Sequence, residues 1–190
     1  NMFTPPRFDG VTLLPGVSGG SLWQPPAFSP RTHYFYVLGA NVPMTFTAIE
    51  YRDSRPGGPW VGRHTGGVMK RADGPQSGTL TAIDVNSGRI AWQYRSAQPM
   101  YGGVLATASG LIFAGEMNGD FSAFDAATGK RLWSTNLGTG VCSPPITYQV
   151  HGVQYIAVGA NGCRGGHVPQ GRPVFTDAVA IFALDGRSAN

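Results

Sequence analysis

Two segments of the chain, residues 77–92 and 115–133, repeat one pattern at a constant spacing of 41 positions. Trp92 aligns with Trp133 without a gap, and a third, partial copy reads AVAIFALDG. Repeats of about 40 to 45 residues that hold four strands each are typical of β-propellers. The repeat therefore predicts an all-β chain built from four-stranded antiparallel propeller blades.

Each copy has the pattern of two strands joined by a turn. In TLTAIDV and DFSAFDA apolar residues alternate with small or polar ones, as in a strand with two different faces. The segments VNSG and AATG supply turns in which glycine can take a positive φ, and RIAW and KRLW begin the returning strands. Asp84 and Asp125 are expected to accept hydrogen bonds from the amides of these turns rather than to act in catalysis.

The composition favours short strands joined by tight turns. The chain has 28 Gly and 15 Pro among 190 residues, and 13% of its residues are charged, about half the usual globular share. Its 14 Lys and Arg residues are scattered and do not form the contiguous basic face of a nucleic-acid surface. The sequence contains no run of about 18 apolar residues, which a membrane helix requires. We therefore expect no nucleic-acid partner and no transmembrane segment in this chain.

The repeat and the turn signals divide the chain into two full blades and most of a third. The first blade covers 15–96 with an insertion at 41–76, and the second covers 99–137. A partial blade covers 141–186 with an insertion at 162–176. A propeller closes with typically four to eight blades. The remaining blades must therefore come from additional sequence, which is favoured, from another chain or from self-association.

Several longer segments resemble a known family. GGVLATASGLIFAGEMNGDFSAFDAATGKRLW and PPITYQVHGVQYIAV resemble the C-terminal blades of pyrroloquinoline-quinone (PQQ)-dependent alcohol and sugar dehydrogenases. LLPGVSGGSLWQPPAFSPRTHYFYV resembles the blade before them. The resemblance implies an eight-bladed propeller, of which this chain holds about two and three-quarter blades. It also implies that Trp92 and Trp133 are docking residues, each capping one blade against the next.

The same resemblance implies a cofactor site at the mouth of the propeller axis. In that family the quinone stacks on a tryptophan beside a calcium ion, and an aspartate acts as general base. The family places the metal ligands and this aspartate in earlier blades. We therefore expect no catalytic residue and no metal ligand in this chain.

Cys163 stands at a contact position where the Gly-rich segment of the family often ends in Trp. Five further positions are expected to contact the cofactor, and two of them depart from the family pattern. They are Leu22 and Trp23, where the family usually has Asn before Trp, and Tyr101, Gly102 and Gly103, where the family often has Trp before the glycines. A leucine cannot donate a hydrogen bond to a quinone oxygen, so Leu22 is either a core residue or part of a remodelled pocket. Tyr101 keeps an aromatic face and adds a hydroxyl group.

The two cysteines, Cys142 and Cys163, flank a predicted hairpin at 144–160 that turns at His151 and Gly152. Pairing about this turn places the two side chains nearly opposite each other, within the Cα separation that a disulfide accepts. A disulfide is favoured over two buried thiols and over a metal or catalytic thiol. It agrees with a periplasmic or secreted location.

Two acidic residues, Glu116 and Asp120, flank the predicted turn MNG. A calcium site needs about six to eight converging oxygen ligands. We therefore interpret the two residues as part of a solvated turn rather than as a metal site.

The sequence is compatible with two functions. The first is the C-terminal portion of a periplasmic quinoprotein dehydrogenase that oxidises an alcohol, polyol or sugar with PQQ and calcium. Its electrons would pass to a cytochrome or to ubiquinone. The second is a non-catalytic propeller, a scaffold or binding module that has lost the cofactor, and Leu22 is the residue that favours it.

Overall fold

The fold is entirely β in the residues that the computed structural model describes, which are 4–17, 19–48, 67–163 and 178–183. These ranges hold fourteen strands and no helix, and so no helix that could cross a membrane. The strands are β1 Val11–Leu13, β2 Ala27–Ser29, β3 Tyr34–Asn41, β4 Met44–Ala48, β5 Gly67–Arg71, β6 Ser77–Asp84, β7 Ile90–Ser96, β8 Leu105–Ala106, β9 Leu111–Gly115, β10 Asp120–Asp125, β11 Arg131–Asn136, β12 Ile146–Val150, β13 Val153–Ala160 and β14 Ala178–Ala183.

The strands form three blade sheets and one smaller sheet. The first sheet has the order β2-β3-β6-β7, the second β8-β9-β10-β11 and the third β12-β13-β14, with antiparallel neighbours throughout. The predicted fold class of antiparallel propeller blades is confirmed. The four-stranded sheets lie within 15–96 and 99–137, and the blade boundaries themselves stay predictions.

The smaller sheet has the order β1-β4-β5 and uses a hairpin from the predicted insertion at 41–76. Val11 pairs with Phe46, and the hydroxyl groups of Thr12 and Thr45 lie 2.8 Å apart. The described part of this insertion therefore forms a hairpin that pairs with β1 rather than with the first blade sheet.

The two four-stranded sheets repeat each other in strand register. Ala82 pairs with Trp92 and Ala123 pairs with Trp133, and in both sheets the register shifts at the following residue. Such a shift marks a β-bulge, which bends a strand locally. The spacing of 41 positions is therefore a repeat of backbone pairing as well as of residue types.

Alternating strand direction places the connections on two sides of the molecule. On one side, the turn side, the connections within the blade sheets are short; they are 30–33, 85–89, 107–110, 126–130 and 151–152. The opposite side, the loop side, holds the segments that lead from one sheet into the next, together with the smaller sheet. The described loop-side segments of the blade sheets are 19–26, 97–104, 116–119, 137–145 and 161–163.

Two apolar clusters hold the blade sheets face to face. Tyr36, Leu80 and Phe124 are fully buried between the first and second sheets. Phe121 and Ile156 are fully buried between the second and third sheets. Because a fully buried side chain of this size contributes about 1.5 to 3 kcal/mol, packing fixes the position of each sheet against the next. The loop-side segments are held in place by this packed frame.

Candidate functional site

On the turn side, the carbonyl oxygen of Ala126 joins the first sheet to the second. It accepts a hydrogen bond from Nε1 of Trp92 at 2.9 Å and another from the Tyr36 hydroxyl at 3.0 Å. The indole of Trp92 lies over Gly129, where a Cβ would be 2.5 Å from the ring. Gly129 leaves this room and takes a positive φ of 72°, which disfavours other residues.

Trp133 contacts the third sheet in a similar position. Its ring lies edge-on to Phe121 of its own sheet and to Phe182 of β14, with centroid separations of 6.3 Å and 5.2 Å. Both tryptophans thus lie at contacts between sheets. Their docking role in a closed ring stays a prediction.

The two repeated aspartates organise turns, as predicted. Oδ1 of Asp84 accepts hydrogen bonds from two amides of its turn. Oδ1 of Asp125 accepts two amide bonds and a third bond from the hydroxyl of Thr128 at 2.8 Å. The amide of Ser87 beside Asp84 and the hydroxyl of Thr128 beside Asp125 hold the pKa of each carboxyl group below its usual range. These carboxylates are structural.

On the loop side, the segments that lead into the three blade sheets meet around Gly103. A Cβ at this position would lie 2.6 Å from Cβ of Pro144 and 2.7 Å from Cγ of Pro25. Next to it, the amide of Val104 donates a hydrogen bond to the carbonyl oxygen of Pro25 at 3.0 Å. Because Pro25 precedes β2 and Pro144 precedes β12, the first strands of all three sheets begin close to one point.

Gly102 is also surrounded by protein. A Cβ there would lie 3.3 Å from the carbonyl oxygens of Val141 and Ser143. Close packing thus accounts for both glycines, against backbone carbonyl groups at Gly102 and against proline rings at Gly103. Their contact with a cofactor stays a prediction.

Leu22 and Trp23 present apolar surface on the loop side. Trp23 is 75% exposed and Leu22 is 50% exposed, so the packing of the described sheets buries neither side chain. The amide of Leu22 donates a hydrogen bond to Oε1 of the buried Gln24 at 3.0 Å, which fixes the backbone between them. Both side chains suit the face of a planar aromatic ring. Leu22 offers no donor to the oxygens of such a ring, whereas Trp23 carries one, its indole N–H.

The predicted disulfide between Cys142 and Cys163 is confirmed, with a Cα–Cα separation of 5.4 Å. It joins the segment before β12 to the segment after β13. Gly140 gives the bond room, because a Cβ there would lie 2.8 Å from Sγ of Cys163. The amide of Gly162 also donates to the carbonyl oxygen of Gly140 at 3.0 Å. Most of the predicted insertion at 162–176 lies outside the described residues.

The prediction that Glu116 belongs to a solvated turn is wrong. Its side chain is 4% exposed, so it does not belong to a solvated turn. Oε1 accepts a hydrogen bond from the Tyr94 hydroxyl at 3.0 Å, and Oε2 accepts one from the Ser96 hydroxyl. Burial, together with the charge of Glu116, raises the pKa of Tyr94 to about 12. Asp120 is held by amide groups of Asn118 and Asn136.

The described part of the chain contains no group of three or more His, Cys, Asp or Glu side chains that converge as metal ligands. The described loop-side residues therefore offer apolar, aromatic and backbone surface for a cofactor.

Comparison with known proteins gives one consistent result. The family model described as "PQQ: Glucose/ethanol/alcohol dehydrogenase, beta-propeller domain" matches residues 1–156. Quinoprotein alcohol dehydrogenase PedE of Pseudomonas putida is 38% identical over 159 residues, which cover 84% of this chain and 24% of the relative. The 1-butanol dehydrogenase (cytochrome c) of Thauera butanivorans is 33% identical over 184 residues, which cover 92% of this chain and 27% of the relative.

A solved structure of another quinoprotein alcohol dehydrogenase has the same fold over this chain. The crystal structure of quinohemoprotein alcohol dehydrogenase from Comamonas testosteroni matches 95% of this chain and 28% of that chain, with a TM-score of 0.78 and 30% identity. The chain spans about a quarter of the length of these relatives. With its repeated blades and the family match over 1–156, the chain belongs to the PQQ glucose/ethanol/alcohol dehydrogenase β-propeller family.

Proposed function

We propose that this chain is the C-terminal portion of a larger propeller that binds PQQ at the loop side and oxidises alcohols. The observation that carries the proposal is the family match over residues 1–156. The loop side supports it, because segments of three sheets meet there around Gly103 and the apolar side chains of Leu22 and Trp23 are exposed on the same side. The other blades come from sequence that the longer relatives also carry.

In this proposal the residues of this chain supply shape rather than charge. Bound PQQ supplies a two-electron acceptor for oxidation of a carbon that bears a hydroxyl group. Trp23 offers an exposed indole face to a planar ring, and Tyr101 offers a second aromatic ring with a hydroxyl group. Leu22 excludes water without donating a hydrogen bond. The general base and the ligands of a calcium ion come from other blades.

The substrate class and the acceptor are inferred from the names of relatives. The name alcohol dehydrogenase PedE supports an alcohol as substrate, with polyols and sugars as further candidates. The name 1-butanol dehydrogenase (cytochrome c) supports a cytochrome as the acceptor, with ubiquinone as the second candidate. The Cys142–Cys163 disulfide supports a periplasmic or secreted location, because disulfides persist in oxidising compartments.

The decisive experiment uses the complete propeller, reconstituted with PQQ and calcium chloride. We expect quinone absorbance to remain with the protein after gel filtration. We also expect reduction of an acceptor dye that requires alcohol, PQQ and calcium together, with omission of each as the control. Protein that retains no quinone and reduces no dye would instead be the non-catalytic scaffold.

Leu22 tests the contribution of this chain directly. Leu22→Asn introduces the donor that the family usually carries, so it should tighten PQQ binding roughly fivefold, the value of one net hydrogen bond. Leu22→Ala is the matched control, because it removes apolar contact without adding a donor. Equal PQQ affinity in the wild type and both variants would place Leu22 outside the cofactor site.

A further inference from the structure

Glu116 is a buried carboxyl group on the loop side that the proposed chemistry does not use. It follows β9 of the second sheet, whereas its two donors, Tyr94 and Ser96, belong to β7 of the first sheet. A buried carboxyl group is costly unless hydrogen bonds satisfy it. The two hydroxyl groups therefore fix the position of the Glu116 carboxyl group, and the carboxyl group in turn fixes theirs.

One path leads from the Glu116 side chain to the segment 98–103. The Ser96 hydroxyl has one proton, which it donates to Glu116, and its oxygen accepts a hydrogen bond from the amide of Gln98 at 2.9 Å. The carboxyl group thus fixes the orientation in which Ser96 receives Gln98. Gln98 is the first residue of the segment that carries Tyr101.

A second path leads from the Glu116 backbone to the other end of the same segment. The carbonyl oxygen of Glu116 accepts a hydrogen bond from the amide of Val141 at 3.0 Å. The carbonyl oxygen of Val141 in turn lies against Gly102, at 3.3 Å from the position of a Cβ. Glu116 therefore contacts the neighbours of 98–103 at both of its ends.

The segment between these ends has little freedom to take another path. Pro99 and Met100 are fully buried. Gly78 of β6 packs directly beneath them, since a Cβ there would lie 2.8 Å from the amide nitrogen of Met100. In a close-packed interior a shift at one end is transmitted along such a segment rather than absorbed. A change at Gln98 therefore reaches Tyr101.

We infer that Glu116 is a positioning residue, which sets the backbone of 98–103 and with it the placement of Tyr101 for contact with PQQ. The inference rests on the proposed function of the loop side. Glu116 acts through Ser96 and Val141, and its own side chain faces the first sheet rather than the cofactor.

Two variants of the complete propeller test this role against a matched control. Glu116→Gln keeps the side-chain size, but one of the two hydroxyl donors loses its acceptor. Ser96→Ala removes the link to Gln98. The control is Tyr36→Phe, which removes another hydrogen bond between the first and second sheets, on the turn side. The measurements are the Kd for PQQ, the midpoint of thermal unfolding, and amide hydrogen exchange in 98–103.

All three variants should lower the thermal midpoint. Glu116→Gln and Ser96→Ala should also speed amide exchange in 98–103. They should raise the Kd for PQQ about fivefold, because PQQ binding must then order the loosened segment, at about the cost of immobilising one side chain. Tyr36→Phe should leave both unchanged. If Glu116→Gln changes exchange and Kd no more than Tyr36→Phe does, the positioning role is wrong. If the wild type binds no PQQ, the proposed function fails, and amide exchange alone still decides whether Glu116 orders the segment.

Discussion

The turn side and the loop side of this chain are built from different kinds of sequence. On the turn side, the first two sheets use the same residues at a spacing of 41 positions, an aspartate and a glycine in the turn. On the loop side, the connections share no such repeat. They hold the disulfide, the buried Glu116 and the smaller sheet.

The turn side therefore serves the packing of one sheet on the next, and the loop side is free to differ from blade to blade. A contact such as Trp92 to Ala126 has to recur from sheet to sheet for a ring to form, so its residues repeat. The loop-side connections are free of that requirement once the sheets are packed, and variable connections on a rigid frame are where binding sites commonly lie. Substitutions on the turn side should therefore change stability, and substitutions on the loop side should change binding as well.

The largest effect is expected on the turn side, from Trp92→Ala. Trp92 is partly buried, so its removal should cost about 3 kcal/mol, the lower end of the range for buried aromatic side chains. Trp92→Phe keeps an aromatic ring and loses the hydrogen bond to Ala126, so it should cost about 1 kcal/mol for that bond, plus the smaller packing loss. The free energy of unfolding in urea measures both, and PQQ affinity should not change. If both variants lower the free energy of unfolding equally, the hydrogen bond, and not the packing, accounts for the stability of this contact.

The next largest change in stability is expected from the disulfide on the loop side. The double variant Cys142→Ser/Cys163→Ser removes a cross-link with a sequence separation of 21. A link that closes a loop of this length should contribute about 3 kcal/mol by restricting the unfolded chain. Unfolding free energies of the double variant and of reduced wild type should agree. The double variant should also bind PQQ more weakly, because Cys142 lies next to the backbone that packs on Gly102. Unchanged affinity would confine the disulfide to stability.

The sequence predicted the features that depend on local pattern. Alternating residues and turn glycines identified the hairpins, and pairing about His151 placed the two cysteines correctly opposite each other. The turn segments that follow Asp84 and Asp125 in both copies of the repeat distinguished them as turn residues from catalytic carboxylates.

Features that depend on contact between distant segments were missed. Glu116 resembles a turn residue in the sequence because its partners, Tyr94 and Ser96, lie in another sheet and in no periodic relation to it. The smaller sheet was predicted only as an insertion, since the pairing of β1 with β4 joins segments about 33 positions apart, as from Thr12 to Thr45. No spacing rule in a single sequence reveals such pairings.

Gly129 and Gly88 form a matched pair, because they are equivalent in the repeat and have φ values of 72° and 69°. Alanine at either position carries the strain of a left-handed backbone, about 1 to 2 kcal/mol. Gly129→Ala also overlaps Trp92, whereas the structure places nothing within 4 Å of a Cβ at Gly88. The overlap should add about 1 to 3 kcal/mol.

In the complete propeller a further blade lies beside Gly88. If a tryptophan of the preceding blade docks over Gly88 as Trp92 does over Gly129, Gly88→Ala should cost as much as Gly129→Ala in urea unfolding of that protein. If Gly88→Ala lowers the free energy of unfolding only by the backbone strain, no tryptophan docks over Gly88. That result would contradict a regular ring on this side.

The smallest effect concerns the turn aspartates and depends on pH. Hydrogen bonds lower the folded-state pKa of Asp84 and Asp125. Their stabilisation is therefore fully present above the unfolded-state pKa of about 3.9 and is lost as the pH falls through the lower folded-state values. Asp84→Asn and Asp125→Asn should each lower the thermal midpoint at about pH 7, and the difference from wild type should shrink below about pH 4.

Asp125→Asn should have the larger effect, because the Thr128 hydroxyl adds a third hydrogen bond to Asp125. Thr128→Val should reduce the effect of Asp125→Asn to that of Asp84→Asn, which isolates this third bond. Thermal midpoints measured from about pH 7 to pH 3 check the trend. A difference that stays constant over that range would mean that the carboxylate charge does not contribute, and that the aspartates act only through the geometry that asparagine shares.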